Sequence, residues 1–584
     1  MLKVEKLSWS FPQKDLFTDI SFEIEDGRHC ALIGRNGIGK SSLLELIVNT
    51  DEHVIYSGKI IKKENCRIGY VQQMTRRESG EEGTVYEYLC RDFVLAQTKM
   101  DEVCEKMGTA GDGEAVFEEY QRLLDGFEAI DGYNYEKNIH KKLAEAGLSY
   151  IEDTSISVVS GGEYKLVEII RSMLQMPDML IMDEPDAFLD FDNIAGLERL
   201  INGFEGTVLT ATHNRFLLST CFDQILHLEN EGIRSFDGNY NEYRLWILMM
   251  KADAGIRSDK ETDWIEIQER LVEQLRDETK KVIDPYRGKL LHARVSYLER
   301  LKKNHTQRPF LELREPVINF PEIEWDTESA EVVLTVDNYS AAFDSGLLKD
   351  VSFTIRRGEK LALVGPNACG KTTLLKDIAD GNNPAIHIAD GIETGFASQL
   401  YGETSNEELT VYERLQEAGI HSREEMVEKL SEVYLEEGCI DHKISELSGG
   451  EKNLFQLLVL SLGKAELLLL DEPTSHLDLQ SQLALEKAVK EYKGAVLMVS
   501  HDYYSIASCA EAVLLIESGT VRRMSGRAFR KIFYKKYYRP EVMELEQKKT
   551  ELEGMINSAL IKNDAKLAQK LCSELESVIG KISG

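Results

Sequence analysis

The sequence predicts an α/β protein of two similar halves, each a parallel sheet flanked by helices, joined by a helical-hairpin linker and followed by a short helical tail. Two observations carry this. Gly34-Arg-Asn-Gly-Ile-Gly-Lys40-Ser41 and Gly365-Pro-Asn-Ala-Cys-Gly-Lys371-Thr372 both fit G-x-x-x-x-G-K-[ST]. Each follows an apolar strand-like run (Cys30–Ile33, Leu361–Val364) and precedes a helix-like one, the setting in which a phosphate-binding loop makes physical sense. The second observation is a repeat. Ser160-Gly161-Gly162-Glu163 returns as Ser448-Gly449-Gly450-Glu451, Asp183-Glu184-Pro185 as Asp471-Glu472-Pro473, and His213 as His501, all at an offset of 288 residues. A duplicated, ordered set of motifs means two copies of one domain.

Bulk properties bound the class. A chain of 584 residues holds several domains, and 42% hydrophobic with 29% charged content fits a globular protein. The net charge of −32 argues against a general nucleic-acid coat, which would be basic, but leaves room for a local basic element. No apolar run approaches the ~18–20 residues that span a bilayer. The most apolar stretch, Leu454–Leu470, is broken by Gly463, Lys464 and Glu466. The N-terminus shows no signal-peptide pattern. Nine scattered cysteines without a C-x-x-C pair point to reduced thiols, a cytoplasmic setting and no zinc or iron–sulfur site.

The first domain is expected over residues 1–238. Phe11 precedes its first strands; such an aromatic either stacks on a base or packs in the core. In the loop, Gly34, Gly37 and Gly39 with Asn36 let backbone N–H groups curl around phosphate, and Lys40, Ser41 and Ser42 open the helix whose N-terminus favours negative charge. Gln73 follows the strand-like Ile68–Val71. The loop lysines are 331 residues apart rather than 288, so this copy carries 43 extra residues, placed at about 90–138. They read as two helices, about Phe93–Met107 and Glu114–Ala129, broken by Gly108, Gly111 and Gly113.

Residues 239–322 are built from helix formers rather than Gly and Ser, so a hairpin of two helices (about 241–282 and 289–304) is expected around the turn Asp284–Gly288. Residues 285–308 hold Arg287, Lys289, Arg294, Arg300, Lys302, Lys303 and Arg308 against Glu299 alone, in a strongly acidic chain. A basic tip that approaches RNA phosphate is the sharper reading of that run; a solvated helix face is the plainer one. The second domain, 323–540, repeats the first with Phe343, Gly365, Asn367, Gly370, Lys371, Thr372, Thr373 and Gln399. The tail, 541–584, shows apolar stripes (Leu545, Leu552, Ile556; Leu567, Leu571, Leu575, Ile579) either side of Asn563-Asp564, which fits a small coiled-coil hairpin.

Phosphate loop, S-G-G-E, D-E-P and histidine in that order resemble an ATP-binding cassette. Twin cassettes, no membrane part, a helical linker and an insertion in the first copy resemble the ABC-F family over nearly the whole chain, and Asp471-Glu-Pro-Thr-Ser-His-Leu-Asp478 is close to that family's D-E-P-T-N-H-L-D. The resemblance implies a monomeric ATPase that binds the ribosome in an ATP-closed state near the tRNA exit site. Its linker would reach toward the peptidyl-transferase centre, large-subunit RNA and P-site tRNA. Such a protein serves as a translation factor or in antibiotic resistance by ribosome protection. The resemblance also implies the site roles. Lys40 and Lys371 contact the β- and γ-phosphates. Ser41, Thr372, Asp183, Asp471, Gln73 and Gln399 surround Mg²⁺. Glu184 and Glu472 polarise the attacking water, His213 and His501 hold the γ-phosphate, and each S-G-G-E loop faces the ATP of the opposite cassette. The alternatives are a fused twin-cassette subunit of a membrane transporter, which needs only a short connector, and a DNA-transaction ATPase, which carries zinc modules or very long coiled coils. The cysteine pattern also disfavours a ribosome-recycling twin cassette with a clustered-cysteine domain.

The chain departs from the family pattern. After D-E-P the first cassette has Asp186 and Phe188 where the second has Thr474 and His476; Asn214 stands where the second has Asp502; and the usual arginine after S-G-G-E is missing from both. Unequal ATP sites are expected, with site one (Lys40, Glu184) the slower, because Phe188 lacks the hydrogen bonds of His476 and the Asp186 carboxylate repels phosphate.

Overall fold

The computed structural model describes residues 1–583 apart from 12–13, 50–55, 74–82, 108–112, 230–231, 324, 326–330, 342–347, 399–407 and 518, and within 254–315 only 269, 272–273, 276, 295 and 298. Phe343, Gln399 and the basic run Arg287–Lys303 therefore lie outside the described residues, as does almost all of the expected linker hairpin.

One compact unit comprises Met1–Asn239 and Arg314–Ile532. In its first half, strands β1 (Leu2–Phe11), β2 (Lys14–Ile24) and β4 (Ser57–Lys62) form an antiparallel sheet ordered β2-β1-β4. Strands β3 (His29–Gly34), β5 (Ile68–Val71), β6 (Met179–Asp183), β7 (Thr207–Ala211), β8 (Gln224–Glu229) and β9 (Gly232–Asp237) form the central sheet, ordered β5-β6-β7-β3-β8-β9. The second half repeats both. Strands β10 (Val332–Ala341), β11 (Leu348–Arg356) and β13 (Ile386–Ile388) are ordered β11-β10-β13. With β12 (Lys360–Val364), β14 (Thr394–Ala397), β15 (Leu467–Asp471), β16 (Ala495–Val499), β17 (Ala512–Glu517) and β18 (Thr520–Ser525), the central order is β14-β15-β16-β12-β17-β18.

The β6 and β15 segments, Met-Leu-Ile-Met-Asp and Leu-Leu-Leu-Leu-Asp, are apolar without alternation because both faces are covered; every residue in them is buried. Strands β3, β5, β6 and β7 run parallel, so Gly34, Gln73, Asp183 and His213 all emerge at or just beyond their carboxyl ends. That is where open parallel sheets place ligands.

The extra residues of the first half fall in the helices Val85–Met107 and Gly113–Ala129, which pack on each other. The first helix begins eight residues before the expected Phe93. Its start is set by Thr84, whose Oγ1 accepts from Glu87 N (3.1 Å) while Glu87 Oε2 accepts from Thr84 N (2.9 Å). The matching Thr410 and Glu413 do the same for Val411–Glu417. Gly113 lies inside the second helix rather than in the break.

A second unit comprises Tyr240–Leu313 and Phe533–Gly584. Helix 240–253 packs against the antiparallel helices Met543–Ile561 and Ala565–Ser583. Leu245, Leu248 and Ala252 share a core with Leu552, Ile556, Leu571 and Leu575. The start of the linker and the tail, expected as separate pieces, thus form one three-helix body.

Candidate nucleotide sites

Both phosphate loops turn through glycine in the left-handed region, at Gly39 (φ 103°) and Gly370 (φ 95°), which lets the helices Lys40–Val48 and Lys371–Asp380 start with their N–H groups aimed at the loop. Ser42 and Thr373 lie in the first turns of these helices, and Thr373 lines the cavity described below. The lysines are buried and satisfied by the loop itself. Lys40 Nζ donates to the carbonyls of Gly34 (2.9 Å) and Arg35 (3.0 Å), and Lys371 Nζ to those of Gly365 (2.8 Å) and Pro366 (2.7 Å). Phe11 ends β1, and its backbone pairs with Lys14.

The loops of each cassette meet the other cassette. Asn36 Nδ2 donates to the carbonyl of His476, and Asn36 N lies 3.4 Å from Asp478 Oδ2. Reciprocally, Asn367 Nδ2 donates to the carbonyl of Phe188 (2.7 Å) and Asn367 N to Asp190 Oδ2 (3.2 Å). A Cβ on Gly450 would collide with Asn36 and with the His476 carbonyl, so the second S-G-G-E loop lies against the first phosphate loop. Ser160, Gly161 and Gly162 line one cavity of about 550 Å³ with Gly370, Lys371, Thr372, Glu472 and His501. That size suits a nucleotide-scale ligand. In both S-G-G-E loops the serine caps the following helix and the glutamate, Glu163 or Glu451, closes the capping box on the serine N–H. The glutamates are thus occupied with holding the loop.

Asp183 and Asp471 end β6 and β15 and are buried. Burial raises both carboxyls, opposed first by the neighbouring Ser41 and Thr372 hydroxyls. Neither Asp471 oxygen makes a hydrogen bond of standard geometry. Two unpaired buried oxygens beside a loop hydroxyl fit Mg²⁺ carried on nucleotide phosphates, which takes one or two carboxylates rather than a protein cage. Among the described residues no group of three or more His, Cys, Asp and Glu side chains is set to hold a metal alone. The imidazoles of His213 and His501 are buried with all four ring nitrogens unbonded. Burial first, then Lys40 or Lys371, pushes their pKa down, to about 3 for His213, so both rings are neutral.

Glu184 and Glu472 sit in the left-handed region (φ 42° and 48°), a strain of order 1–3 kcal/mol in a non-glycine residue. Phe188 and His476 do the same. Burial raises Glu184, but the hydrogen bond from His476, with Lys40 behind it, outweighs burial and brings the carboxyl down to about 2. Its Oε2 accepts from Gln73 Nε2 (2.5 Å) and lies 3.6 Å from Nδ1 of His476 of the other cassette. Burial instead lifts Glu472 to about 7 against the pull of Lys371. Its contacts come from its own cassette, His501 N (3.1 Å) and Nε2 (3.5 Å).

These placements correct the expected asymmetry. The segment after D-E-P crosses the boundary, so His476 of the second cassette lies at Glu184, while Phe188 of the first lines, beside His476, the cavity of Lys371, which Glu184 and His213 line as well. Asp186 is held within its own half by Thr212 Oγ1 (2.6 Å), and burial pushes its carboxyl up to about 6. Three further residues were invisible as motifs: Lys165, Asn453 and Arg215. Arg215 pairs across the boundary with Glu486 and with Asp502 (2.6 Å) and lies under the Tyr504 ring. The repeat register held the signal for them, since Lys165 aligns with Asn453 and Arg215 with Tyr503.

The ABC transporter family matches residues 17–187 and 348–475. ABC transporter F family member 5 of Arabidopsis thaliana is 30% identical over 97% of this chain and 81% of its own length. The chain belongs to the ABC-F family. It is an ATPase of twin ATP-binding cassettes. Other relatives of this ABC-F protein are the ATP-binding protein YdiF of Bacillus subtilis (30% identical, 97% of this chain, 87% of that one) and the energy-dependent translational throttle protein EttA of Escherichia coli (30%, 86% and 89%). The fold also matches a solved archaeal ribosome recycling factor, aABCE1, at TM-score 0.52 and 17% identity, over 89% of this chain and 90% of that one. Among the described residues no helix is long and apolar enough to cross a membrane.

Proposed function

We propose that this ABC-F ATPase is a cytoplasmic translation factor that binds the ribosome when ATP closes its two composite sites and is released by hydrolysis. The observation that carries the closed state is the reciprocal threading of the boundary, Asn36 to the His476 carbonyl and Asn367 to the Phe188 carbonyl. Site one combines Lys40 with Ser448–Glu451, and site two Lys371 with Ser160–Glu163. In each, the lysine leaves its loop carbonyls for the β- and γ-phosphates. Mg²⁺, held by Ser41 and Asp183 or Thr372 and Asp471 with Gln73 or Gln399, supplies charge neutralisation between the phosphates. Glu184 and Glu472 orient the attacking water and accept its proton. The neutral imidazoles of His213 and His501 each offer one N–H to the γ-phosphate. Hydrolysis removes the charge that bridges the cassettes, which biases the pair toward opening.

The ribosome as partner is supported by the likeness to EttA along 86% of the chain. Large-subunit RNA and P-site tRNA are the proposed contacts of the linker, through Arg287, Lys289, Arg294, Arg300, Lys302 and Lys303. The catalytic reading is tested with Glu184→Gln/Glu472→Gln. ATP binding should persist while hydrolysis falls roughly 100-fold or more, the scale of general-base catalysis. Near wild-type turnover in the double variant contradicts the assignment.

A further inference from the structure

Lys165 and Asn453 occupy the same register position, one turn into the helices Gly161–Leu174 and Gly449–Leu462 that follow the S-G-G-E loops. Buried Lys165 donates from Nζ to the carbonyls of Gln72 and Gln73, the latter at 2.9 Å. Gln73 in turn donates to Oε2 of Glu184. Asn453 Nδ2 donates to the carbonyls of Ser475 (2.7 Å) and Pro473 (3.2 Å), and the next residue, His476, faces the same Oε2. Both helices therefore send a chain of contacts to one oxygen of Glu184. Their N-termini lie in different places. The helix of Lys165 begins in the cavity of Lys371, and that of Asn453 begins against Asn36. Among the described residues the carboxylate of Glu472 has no such connection to the other cassette.

We propose that Lys165 is a positioning residue for hydrolysis at site one, fixing Gln73 against Glu184. This rests on the reading of Glu184 as the group that activates water. Lys165 faces two backbone carbonyls rather than a phosphate loop, so it acts through Gln73. Without its ammonium two carbonyls lose their donor, and Gln73 loses the restraint that holds its amide at Glu184. Displacements of about 1 Å at such a point are worth about 10²-fold in rate. The loss belongs to the chemical step and not to ATP affinity.

The test uses the full chain in two backgrounds, Glu472→Gln, where site one alone turns over, and Glu184→Gln, where site two alone does. Lys165→Met removes the donors at similar length; Lys165→Arg keeps them. In the Glu472→Gln background Lys165→Met should lower kcat about tenfold or more while KM for ATP stays within about twofold. Lys165→Arg should restore most of the rate. Gln73→Ala should cause a similar loss that does not add to that of Lys165→Met. In the Glu184→Gln background Lys165→Met should change kcat less than about twofold. Equal losses in both backgrounds, an unchanged kcat in the first, or full additivity with Gln73→Ala overturns the proposal and leaves Lys165 a structural residue. If Lys165→Met fails to fold, a Lys165→Arg variant as slow as Gln73→Ala overturns it equally. Residual wild-type turnover in Glu184→Gln/Glu472→Gln is the separate signature that the catalytic reading itself has failed.

Discussion

Glu184 and Glu472 share a register position, a left-handed backbone and a buried strand end, yet their carboxylates meet different neighbours. Glu184 is held ionised by an imidazole from the opposite cassette and by an amide of its own; Glu472 has His501 alone among described partners. Turnover at site one should therefore depend on His476. In the Glu472→Gln background, His476→Phe is expected to cut steady-state ATPase about tenfold, less than the roughly 10²–10³-fold lost with a donor that touches the transition state, because His476 acts through Glu184. Glu184→Gln alone is expected to remove more ATPase than Glu472→Gln alone; equal or reversed losses contradict the preorganisation of site one. Arg215 gives a second prediction at this scale. Its guanidinium neutralises Glu486 and Asp502 across the boundary, all three largely buried. Arg215→Met leaves two buried carboxylates uncompensated, which costs about 3–5 kcal/mol. The first thermal unfolding transition should drop, and amide exchange should accelerate over Tyr503–Cys509. Wild-type exchange there contradicts a stabilising role for the pair.

The elements that local chemistry specifies were legible in the sequence. The apolar β6 and β15 and the glycine loops follow from residues a few positions apart. So does the start of the arm helix in hindsight, because Thr84 and Glu87 form the same reciprocal cap as Thr410 and Glu413. Thr84→Ala should cost about 1 kcal/mol, read as faster amide exchange at Val85–Tyr88 with ATPase unchanged. Unchanged exchange contradicts the cap as the cause of that helix start. What the sequence left hidden is tertiary. Nothing local to Asp471–Asp478 says that His476 ends beside Glu184 rather than Glu472. Nothing local to Lys165 says that it reaches Gln72 and Gln73, 93 and 92 residues away. Three-helix packing of 240–253 with the tail has the same origin. Leu245, Leu248 and Ala252 are a helical stripe whose partner lies some 300 residues downstream. Leu575, fully buried in that core, is the residue to test. Leu575→Ala should cost about 2–5 kcal/mol, seen as earlier thermal unfolding with little change in ATPase. An unchanged melt contradicts the three-helix core.

At the scale of the whole molecule, a duplicated domain sets the phosphate loop of each cassette against the other cassette, so that the two proposed sites are each half of one and half of the other. Duplication on one chain also frees the copies to diverge. Phe188 and His476, Lys165 and Asn453, and Arg215 and Tyr503 are such divergences, all near the boundary. A nucleotide switch of this construction needs only a partner that distinguishes closed from open. The proposed partner is the ribosome, and the measurement that tests it most directly is co-sedimentation of Glu184→Gln/Glu472→Gln with ribosomes, membranes and DNA in ATP and in ADP. The account predicts a ribosome pellet that contains the protein in ATP and loses it in ADP, with none on membranes or DNA. Binding that ignores the nucleotide, or that follows membranes or DNA in place of ribosomes, contradicts it.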